Sequence, residues 1–160
     1  MLMKNMWKKI SPYAISIAIA LAAGGLSAGI TSGKMEEYAR LVQPPLAPPG
    51  WVFPIVWSVL FILMGVSAAL VWKSDSPERS DALFIYGTQL VVNFLWTIFY
   101  FSFNARLLAF FWLIFLLLLV LLMTVRFSRI SPRAARLQIP YIVWLVFAGY
   151  LNLATYILNR

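Results

Sequence analysis

Residues Leu107 to Val125 read LLAFFWLIFLLLLVLLMTV, an unbroken apolar run without Asp, Glu, Lys or Arg. An α-helix rises about 1.5 Å per residue, and the hydrocarbon core of a bilayer is roughly 30 Å thick, so about 20 apolar residues are needed to cross it. The run has this length, and it therefore predicts a transmembrane helix.

Four further apolar segments flank this run, over approximately residues 10–30, 51–72, 83–103 and 137–158, and none has a charged residue in its interior. The first is too long for a signal peptide, whose apolar core usually has about 7–15 residues. The sequence therefore predicts an all-α integral membrane protein. Residues 1–160 are expected to form a single domain, a bundle of five transmembrane helices.

The composition excludes several classes of protein. The chain is 62% hydrophobic and 11% charged, whereas a soluble domain is about half apolar and roughly a quarter charged. It contains no Cys and no His, which excludes disulfides, thiol catalysis and Cys/His metal sites, and we expect no metal site. The net charge of +8 is assigned to helix orientation and lipid contact rather than to nucleic-acid binding.

The basic residues predict the orientation, because cytoplasmic loops of membrane proteins carry an excess of Lys and Arg. Nine lie in the N-terminal tail and in the second and fourth connections: Lys4, Lys8, Lys9, Lys73, Arg79, Arg126, Arg129, Arg133 and Arg136. Four lie on the other side: Lys34, Arg40, Arg106 and Arg160. We therefore expect a cytoplasmic N-terminus, with the C-terminus and the loop of residues 31–50 outside.

Four of the predicted spans have a polar or small-residue face. It comprises Tyr86, Gln89, Asn93, Thr97 and Tyr100 in the third span, Gln138, Tyr141, Trp144, Ala148, Asn152 and Thr155 in the fifth, Ser16, Ala20, Gly24, Ser27 and Thr31 in the first, and Ser58, Gly65 and Ala69 in the second. The spacing of three or four residues puts each set on one side of its helix. Such faces either hold helices together or line a binding cavity. The fourth span lacks one and is predicted to be the most lipid-exposed.

The connections carry further signals. Gly25, Gly29 and Gly33 form overlapping GxxxG patterns, which indicate either close internal packing or a dimer interface. The segment QPPLAPPG, residues 43–50, cannot be helical and predicts a semi-rigid cover, with a plain spacer as the alternative. Residues 104–106 leave only a tight turn between the third and fourth spans, which must be antiparallel neighbours. Ser131-Pro132 predicts a helix start, and the arginines beside it are interpreted as a cytoplasmic anchor.

Several blocks together resemble the TspO/translocator protein family, also known as the peripheral-type benzodiazepine receptor family. The main block is YARLVQPPLAPPGWVFPIVWSVLFILMGVSAALVW, residues 38–72. Two more are Gln89 to Asn93 with Trp96, and PRAARL at 132–137 followed by Pro140-Tyr141, Trp144, Phe147-Ala148 and Leu151-Asn152. The chain departs from the family pattern at Glu37, Gln43, Leu46 and Pro54, which affects the expected loop contacts and ligand preference rather than the fold.

The resemblance implies a five-helix bundle, usually dimeric, in the cell membrane of a bacterium. It also implies a pocket toward the first loop that binds porphyrins such as protoporphyrin IX and, in animal members, cholesterol and benzodiazepine-type ligands. The ligand-binding residues that it implies are Tyr38, Pro44, Pro49, Trp51, Trp57, Asn93, Trp144, Ala148, Leu151 and Asn152.

Three classes of function are considered. The first is a receptor, sensor or carrier of tetrapyrroles, with porphyrin as ligand and no required cofactor. The second is a transporter, which is disfavoured because the acidic residues Glu36, Glu37, Asp75, Glu78 and Asp81 are all predicted in loops. The third is an enzyme, disfavoured because no conventional nucleophile and base are available. The resemblance nevertheless implies a light- and oxygen-dependent breakdown of porphyrin, for which Trp57 and Trp144 are the catalytic candidates.

Overall fold

The computed structural model describes the backbone of residues 2–160 and the side chains from Met6 onward. This part of the chain contains helices and connections without a β-strand. The helices are α1 (Leu2–Thr31), α2 (Met35–Ala39), α3 (Val52–Trp72), α4 (Arg79–Thr97), α5 (Arg106–Ile130), α6 (Pro132–Arg136) and α7 (Ile139–Leu158), with a 3₁₀ turn at Ser32–Lys34 and a π-helical turn at Ile98–Ser102.

Five helical units are long and apolar enough to cross a membrane, which confirms the predicted five-helix membrane fold. They form a closed ring in which α1 packs on α3, α3 on α6, α5 on both α6 and α7, α4 on α5, and α1 again on α4. Hydrogen bonds join the connections at each end. Lys73 Nζ donates to the carbonyl of Lys9 at one end, and Asn104 Nδ2 donates to Glu37 Oε1 at the other. Which end faces the cytoplasm stays a prediction.

The first connection is shorter than expected, because residues 32–39, predicted as loop, are helical. No proline occurs between Pro12 and Pro44, so every residue in this stretch can donate a helical hydrogen bond. The segment 43–50 is not helical, as its prolines require. Leu46 has φ 68 and lies in a turn closed by the amide of Ala47, which donates to the carbonyl of Pro44 at 3.1 Å. The chain reverses here before it enters α3.

The remaining connections largely follow the sequence signals. α4 ends in the π-helical turn, and Asn104, with φ 51, completes the tight turn into the antiparallel α5. The Ser131 side chain caps α6 by accepting a hydrogen bond from the Ala134 amide, and Pro132 takes the first helical position. A two-residue turn then separates α6 from α7. The fifth helix, predicted to begin at Ser131-Pro132 and to continue through residues 137–158, is therefore two helices joined by a short turn. Ser67 Oγ on α3 donates to the Ala134 carbonyl of α6 at 2.7 Å.

The predicted inward faces of α1, α4 and α7 are confirmed, with two corrections elsewhere. Ser58 on α3 is exposed, and the buried hydroxyl of that helix belongs to Ser67. The fourth span is not the most lipid-exposed. In its most apolar stretch 28% of the residues are buried, whereas the corresponding share in the first span is 22%. A fully buried stripe runs along α5 at helical spacing: Ala109, Leu113, Leu116, Val120, Met123 and Phe127.

α1 and α3 approach closely at two glycines. A Cβ on Gly65 would lie 2.5 Å from Ile17 Cα, and one on Gly24 would overlap the Phe61 ring. By contrast, Gly25, Gly29 and Gly33 have open space where a Cβ would stand. Internal packing therefore does not explain the GxxxG patterns. The face that they form remains open to lipid or a second copy, and the dimer stays a prediction.

The five acidic residues are all exposed at the ends of the bundle. All five were predicted in loops, but three of them are helical. Glu36 and Glu37 lie in α2, and Asp81 lies in the first turn of α4. The correction does not move a carboxylate into the bundle interior.

Candidate functional site

A cavity of about 320 Å³ lies between α1, α3, α4 and α7, toward the end of the bundle that carries α2. We call it the central cavity. Its lining residues are Gly24, Ser27, Ala28, Thr31, Ser32, Met35, Tyr38, Phe53, Pro54, Trp57, Phe61, Asn93, Trp96, Thr97, Tyr100, Phe101, Ala148, Leu151 and Asn152. Most are aromatic, aliphatic or small, which is typical of a site for a hydrophobic ligand.

One wall of the central cavity is a chain of aromatic rings. The ring centroids of Trp57 and Trp96 are 6.2 Å apart, and those of Trp96 and Tyr100 are 5.7 Å apart. Tyr38 on α2 continues the chain at 6.1 Å from Tyr100. The π-helical turn carries both Tyr100 and Phe101, and these successive side chains both line the cavity. The wall therefore offers large ring surfaces to a flat ligand.

The part of the cavity lining that belongs to α1 is built from small residues. Ser27 Oγ donates to the carbonyl of Gly24, and Thr31 Oγ1 donates to that of Ser27, both at 2.9 Å. Their hydroxyls are thus satisfied within the helix and leave no unpaired donor facing an apolar ligand.

The amides beside the cavity are engaged in hydrogen bonds between helices. Trp96 Nε1 donates to Asn152 Oδ1 at 3.2 Å, and Asn152 Nδ2 donates to the Arg106 carbonyl at 2.8 Å. Asn93 Nδ2 donates to Tyr141 Oη at 2.7 Å, and that hydroxyl donates to Gln89 Oε1 at 3.0 Å. The polar faces therefore hold helices together and also border a cavity. The sequence had offered these two roles as alternatives, and the structure combines them.

The cover of the central cavity is formed by the helical part of the first connection. Met35 and Tyr38 of α2 line it, whereas no residue between 40 and 52 does so. The prediction that residues 43–50 form the cover is therefore wrong. Residues 42–50, which we call the proline segment, are instead joined to α7 by hydrogen bonds. Val42 exchanges two hydrogen bonds with the Asn159 side chain, at 2.9 and 3.0 Å, and Tyr150 Oη donates to the Pro45 carbonyl at 2.8 Å.

Six of the ten predicted site residues line the central cavity: Tyr38, Trp57, Asn93, Ala148, Leu151 and Asn152. The structure places the other four elsewhere. Pro44 is buried in the proline segment, Pro49 is exposed, and Trp51 is 68% exposed at the start of α3. Trp144 lies behind the cavity wall, with its ring 6.5 Å from Trp57 and 6.0 Å from Phe53. Of the two catalytic candidates, only Trp57 reaches the cavity.

Sequence reasoning missed part of the site. The small-residue face of α1 was recognised from its spacing but was not assigned to the site. Tyr100 was likewise recognised only as part of the polar face of the third span. Phe53 and Trp96 lie in blocks of the family resemblance but were not assigned to the site, and Phe101 carries no signal that distinguishes it from the many other aromatic residues. Among the described residues, no three His, Cys, Asp or Glu side chains are close enough together to hold a metal ion.

Comparisons with known proteins agree with this architecture. The sequence profile of the TspO/MBR family matches residues 15–158. The Tryptophan-rich protein TspO of Chlorobaculum tepidum is 33% identical over 157 residues, covering 95% of this chain and 98% of that protein. Protein CrtK of Rhodobacter capsulatus is 31% identical over 92% of each chain, and the human Translocator protein is 38% identical over 74% of this chain and 72% of its own.

Proposed function

The chain belongs to the TspO/MBR family, and we propose that it is a membrane receptor or carrier that binds porphyrins in the central cavity. Protoporphyrin IX and haem-related tetrapyrroles are the expected ligands, and hydrophobic benzodiazepine-type molecules fit the same chemistry. The observation that carries the proposal is the continuous aromatic wall of Trp57, Trp96, Tyr100 and Tyr38 in a cavity that is also lined by small residues of α1.

The chemistry of the cavity suits a tetrapyrrole. A porphyrin is a flat and largely apolar ring that carries carboxylates at one edge. The aromatic wall offers stacking surface to the ring. The cation Lys34, which pairs with Glu37 at 3.5 Å, lies between Ser32 and Met35, and both of these residues line the cavity. At about 320 Å³ the cavity is near the lower end of ligand sites, about 300–1,000 Å³. We therefore propose that the cavity encloses part of the ring while the carboxylates stay near the rim.

Binding is favoured over coupled transport by the position of the charges. Glu36, Glu37, Asp75, Glu78 and Asp81 are all exposed at the bundle ends. A proton-coupled transporter usually uses an ionisable residue inside the membrane. The described interior of this bundle offers amides and hydroxyls instead.

Light- and oxygen-dependent breakdown of the porphyrin is the second candidate function. It is favoured by Trp57, whose indole lines the cavity beside that of Trp96. Illumination of the porphyrin complex in the presence of oxygen, followed by product analysis, tests it against a dark control and the Trp57→Phe variant. A product that requires both light and Trp57 supports breakdown; an unchanged porphyrin leaves binding as the function.

The binding proposal is tested by titrating protoporphyrin IX into the purified protein and following tryptophan fluorescence. The parent should show saturable quenching. Ala148→Leu should abolish it, because Ala148 is 7% exposed and leucine would occupy part of the cavity. The matched control is Val146→Leu on the same helix, which is 58% exposed and should bind as the parent does.

A second variant guards against a folding defect in Ala148→Leu. Tyr38→Ala removes one ring of the aromatic wall from α2, outside the long helices, and should weaken binding while helicity is retained. If folded Ala148→Leu and Tyr38→Ala both bind protoporphyrin as tightly as the parent, the central cavity is not the porphyrin site.

A further inference from the structure

The outer surface of the bundle carries a second concave site, between α3 and α7. It is an open groove of about 510 Å³ lined by apolar side chains, including Ile55, Val59, Ile139, Val143, Trp144 and Phe147. None of its lining residues lines the central cavity. We call it the α3–α7 groove. Ile55, Val59, Ile139 and Val143 are each at least half exposed, so the described chain leaves the groove uncovered.

One end of the α3–α7 groove is basic. Arg133 and Arg136 precede the groove residues Pro140, Val143 and Phe147 at steps of three or four. Hydrogen bonds from the amides of Leu137 and Gln138 to the carbonyls of Arg133 and Ala135 keep the chain coiled between α6 and α7. This spacing places the two arginines on the same side of α6–α7 as the groove. Charge and apolar surface thus form one continuous stripe.

The two arginines are available to an external anion. Both are exposed, and neither forms an ion pair within the described residues, where Lys34 and Glu37 make the one salt bridge. Arg136 Nε makes only a 3.4 Å hydrogen bond to the Pro132 carbonyl of its own helix. Guanidinium groups bind phosphate through paired hydrogen bonds, so a phosphate is the natural partner at this end of the groove.

The length of the stripe fits half a bilayer. From Arg136 to Phe147 the chain advances 11 residues, which corresponds to about 16 Å at helical rise. Half of a hydrocarbon core of roughly 30 Å is about 15 Å. A molecule with a phosphate at Arg133 and Arg136 and an acyl chain in the groove would therefore span one leaflet.

We propose that the α3–α7 groove is a binding site for one anionic phospholipid, with its phosphate on Arg133 and Arg136 and one acyl chain against Val143 and Phe147. The groove binds the acyl chain and the two arginines select the anionic headgroup. A zwitterionic lipid offers the same acyl chain but has no net charge to attract the arginines. The site lies outside the central cavity, and the proposal does not rest on porphyrin binding.

Native mass spectrometry of the delipidated protein tests the proposal, with phosphatidylglycerol and phosphatidylcholine of identical acyl chains added back. The parent should retain one phosphatidylglycerol in preference to phosphatidylcholine. The double variant Arg133→Gln/Arg136→Gln should lose this preference by about tenfold, since each surface arginine contributes roughly a fewfold to the binding of anionic lipid. The matched control Arg126→Gln/Arg129→Gln removes the same charge from α5, which does not line the groove, and should change retention less than about twofold.

Val143→Trp provides a test that leaves the arginines untouched, since it fills the groove at a 63% exposed position. It should reduce retention of both lipids while helicity is unchanged. Equal losses in the two arginine double variants, or no preference for the anionic lipid in the parent, would overturn the proposal. Efficient disulfide crosslinking of Val143→Cys into a dimer would also overturn it, because a second copy would then occupy the groove.

Discussion

Trp57 links the central cavity to the aromatic side chains behind it. Its ring centroid lies 5.6 Å from that of Phe61 and 6.2 Å from that of Trp96, both on the cavity, and 6.5 Å from that of Trp144, which lies off it. The two tryptophans that the family resemblance pairs as candidates therefore have different surroundings. A ligand in the cavity can contact Trp57 directly and Trp144 only through Trp57.

This difference predicts unequal effects of the same substitution. Trp57→Phe should weaken protoporphyrin binding by roughly threefold to tenfold, because phenylalanine offers a smaller stacking surface than the indole, whereas Trp144→Phe should leave it within about twofold. Absorbance titration of the porphyrin measures both, without relying on tryptophan emission. A larger effect at Trp144 would mean that the ligand occupies the other side of α3.

The two asparagines beside the cavity predict different losses of stability. Asn152→Leu leaves Trp96 Nε1 unpaired and removes the side-chain hydrogen bond to the Arg106 carbonyl, so the free energy of unfolding should fall by about 1–2 kcal/mol. Asn93→Leu should cost less, because the Tyr141 hydroxyl keeps its bond to Gln89. Unfolding in mixed detergent, followed by circular dichroism, measures the difference. Equal losses would show that these hydrogen bonds do not distinguish the two sites.

At the scale of helices, the contact between α1 and α3 depends on Gly65. A Cβ there meets the Ile17 backbone, which cannot move without shifting the whole of α1. Gly65→Ala should therefore lower the unfolding temperature markedly. Gly25→Ala is the matched control, because it has open space around it and should gain up to about 1 kcal/mol from the better helix propensity of alanine. A neutral Gly65→Ala would show that α1 is not held at this distance.

The proline segment is fastened to the end of α7, and its release can be measured. Asn159→Ala removes both hydrogen bonds to Val42. Local opening of this segment should then become about tenfold more frequent, as expected for the loss of two exposed hydrogen bonds. Limited trypsin digestion reports this as faster cleavage after the exposed Arg40. Cleavage after Arg79, at the opposite end of the bundle, is the internal reference and should not change.

At the scale of the whole molecule, the charge asymmetry predicts the orientation in the membrane. Ser32→Cys and Ser128→Cys place single thiols at exposed positions on opposite ends of a chain that has no other cysteine. A membrane-impermeant maleimide added to intact cells should label the cysteine at position 32 and spare the one at position 128, because the nine-to-four excess of basic residues favours the cytoplasm. Labelling only at position 128 would reverse the assigned orientation.

The amino-acid sequence alone determined the five spans and the inward sides of three of them. The spans follow from the length of uncharged apolar runs, which a bilayer selects directly. The inward sides of α1, α4 and α7 follow from small or polar residues at helical spacing, such as Gln89 and Asn93, because these residues contrast with the apolar residues around them. The turn at residues 104–106 and the helix cap at Ser131 could also be predicted, because each depends only on residues adjacent in the sequence.

Only the tertiary structure decided the features that depend on contacts between distant residues. α5 is apolar on every side. Its sequence therefore has no polar or small face to indicate that Leu113 and Phe127 lie on the inward side. Trp57 and Trp144 are equally aromatic, and the rotation of α3 and α7 about their axes decides which of them reaches the cavity. The helical form of residues 32–39 lets Tyr38 cover the cavity. That rotation and that cover are set by packing between helices far apart in the chain, which no local pattern encodes.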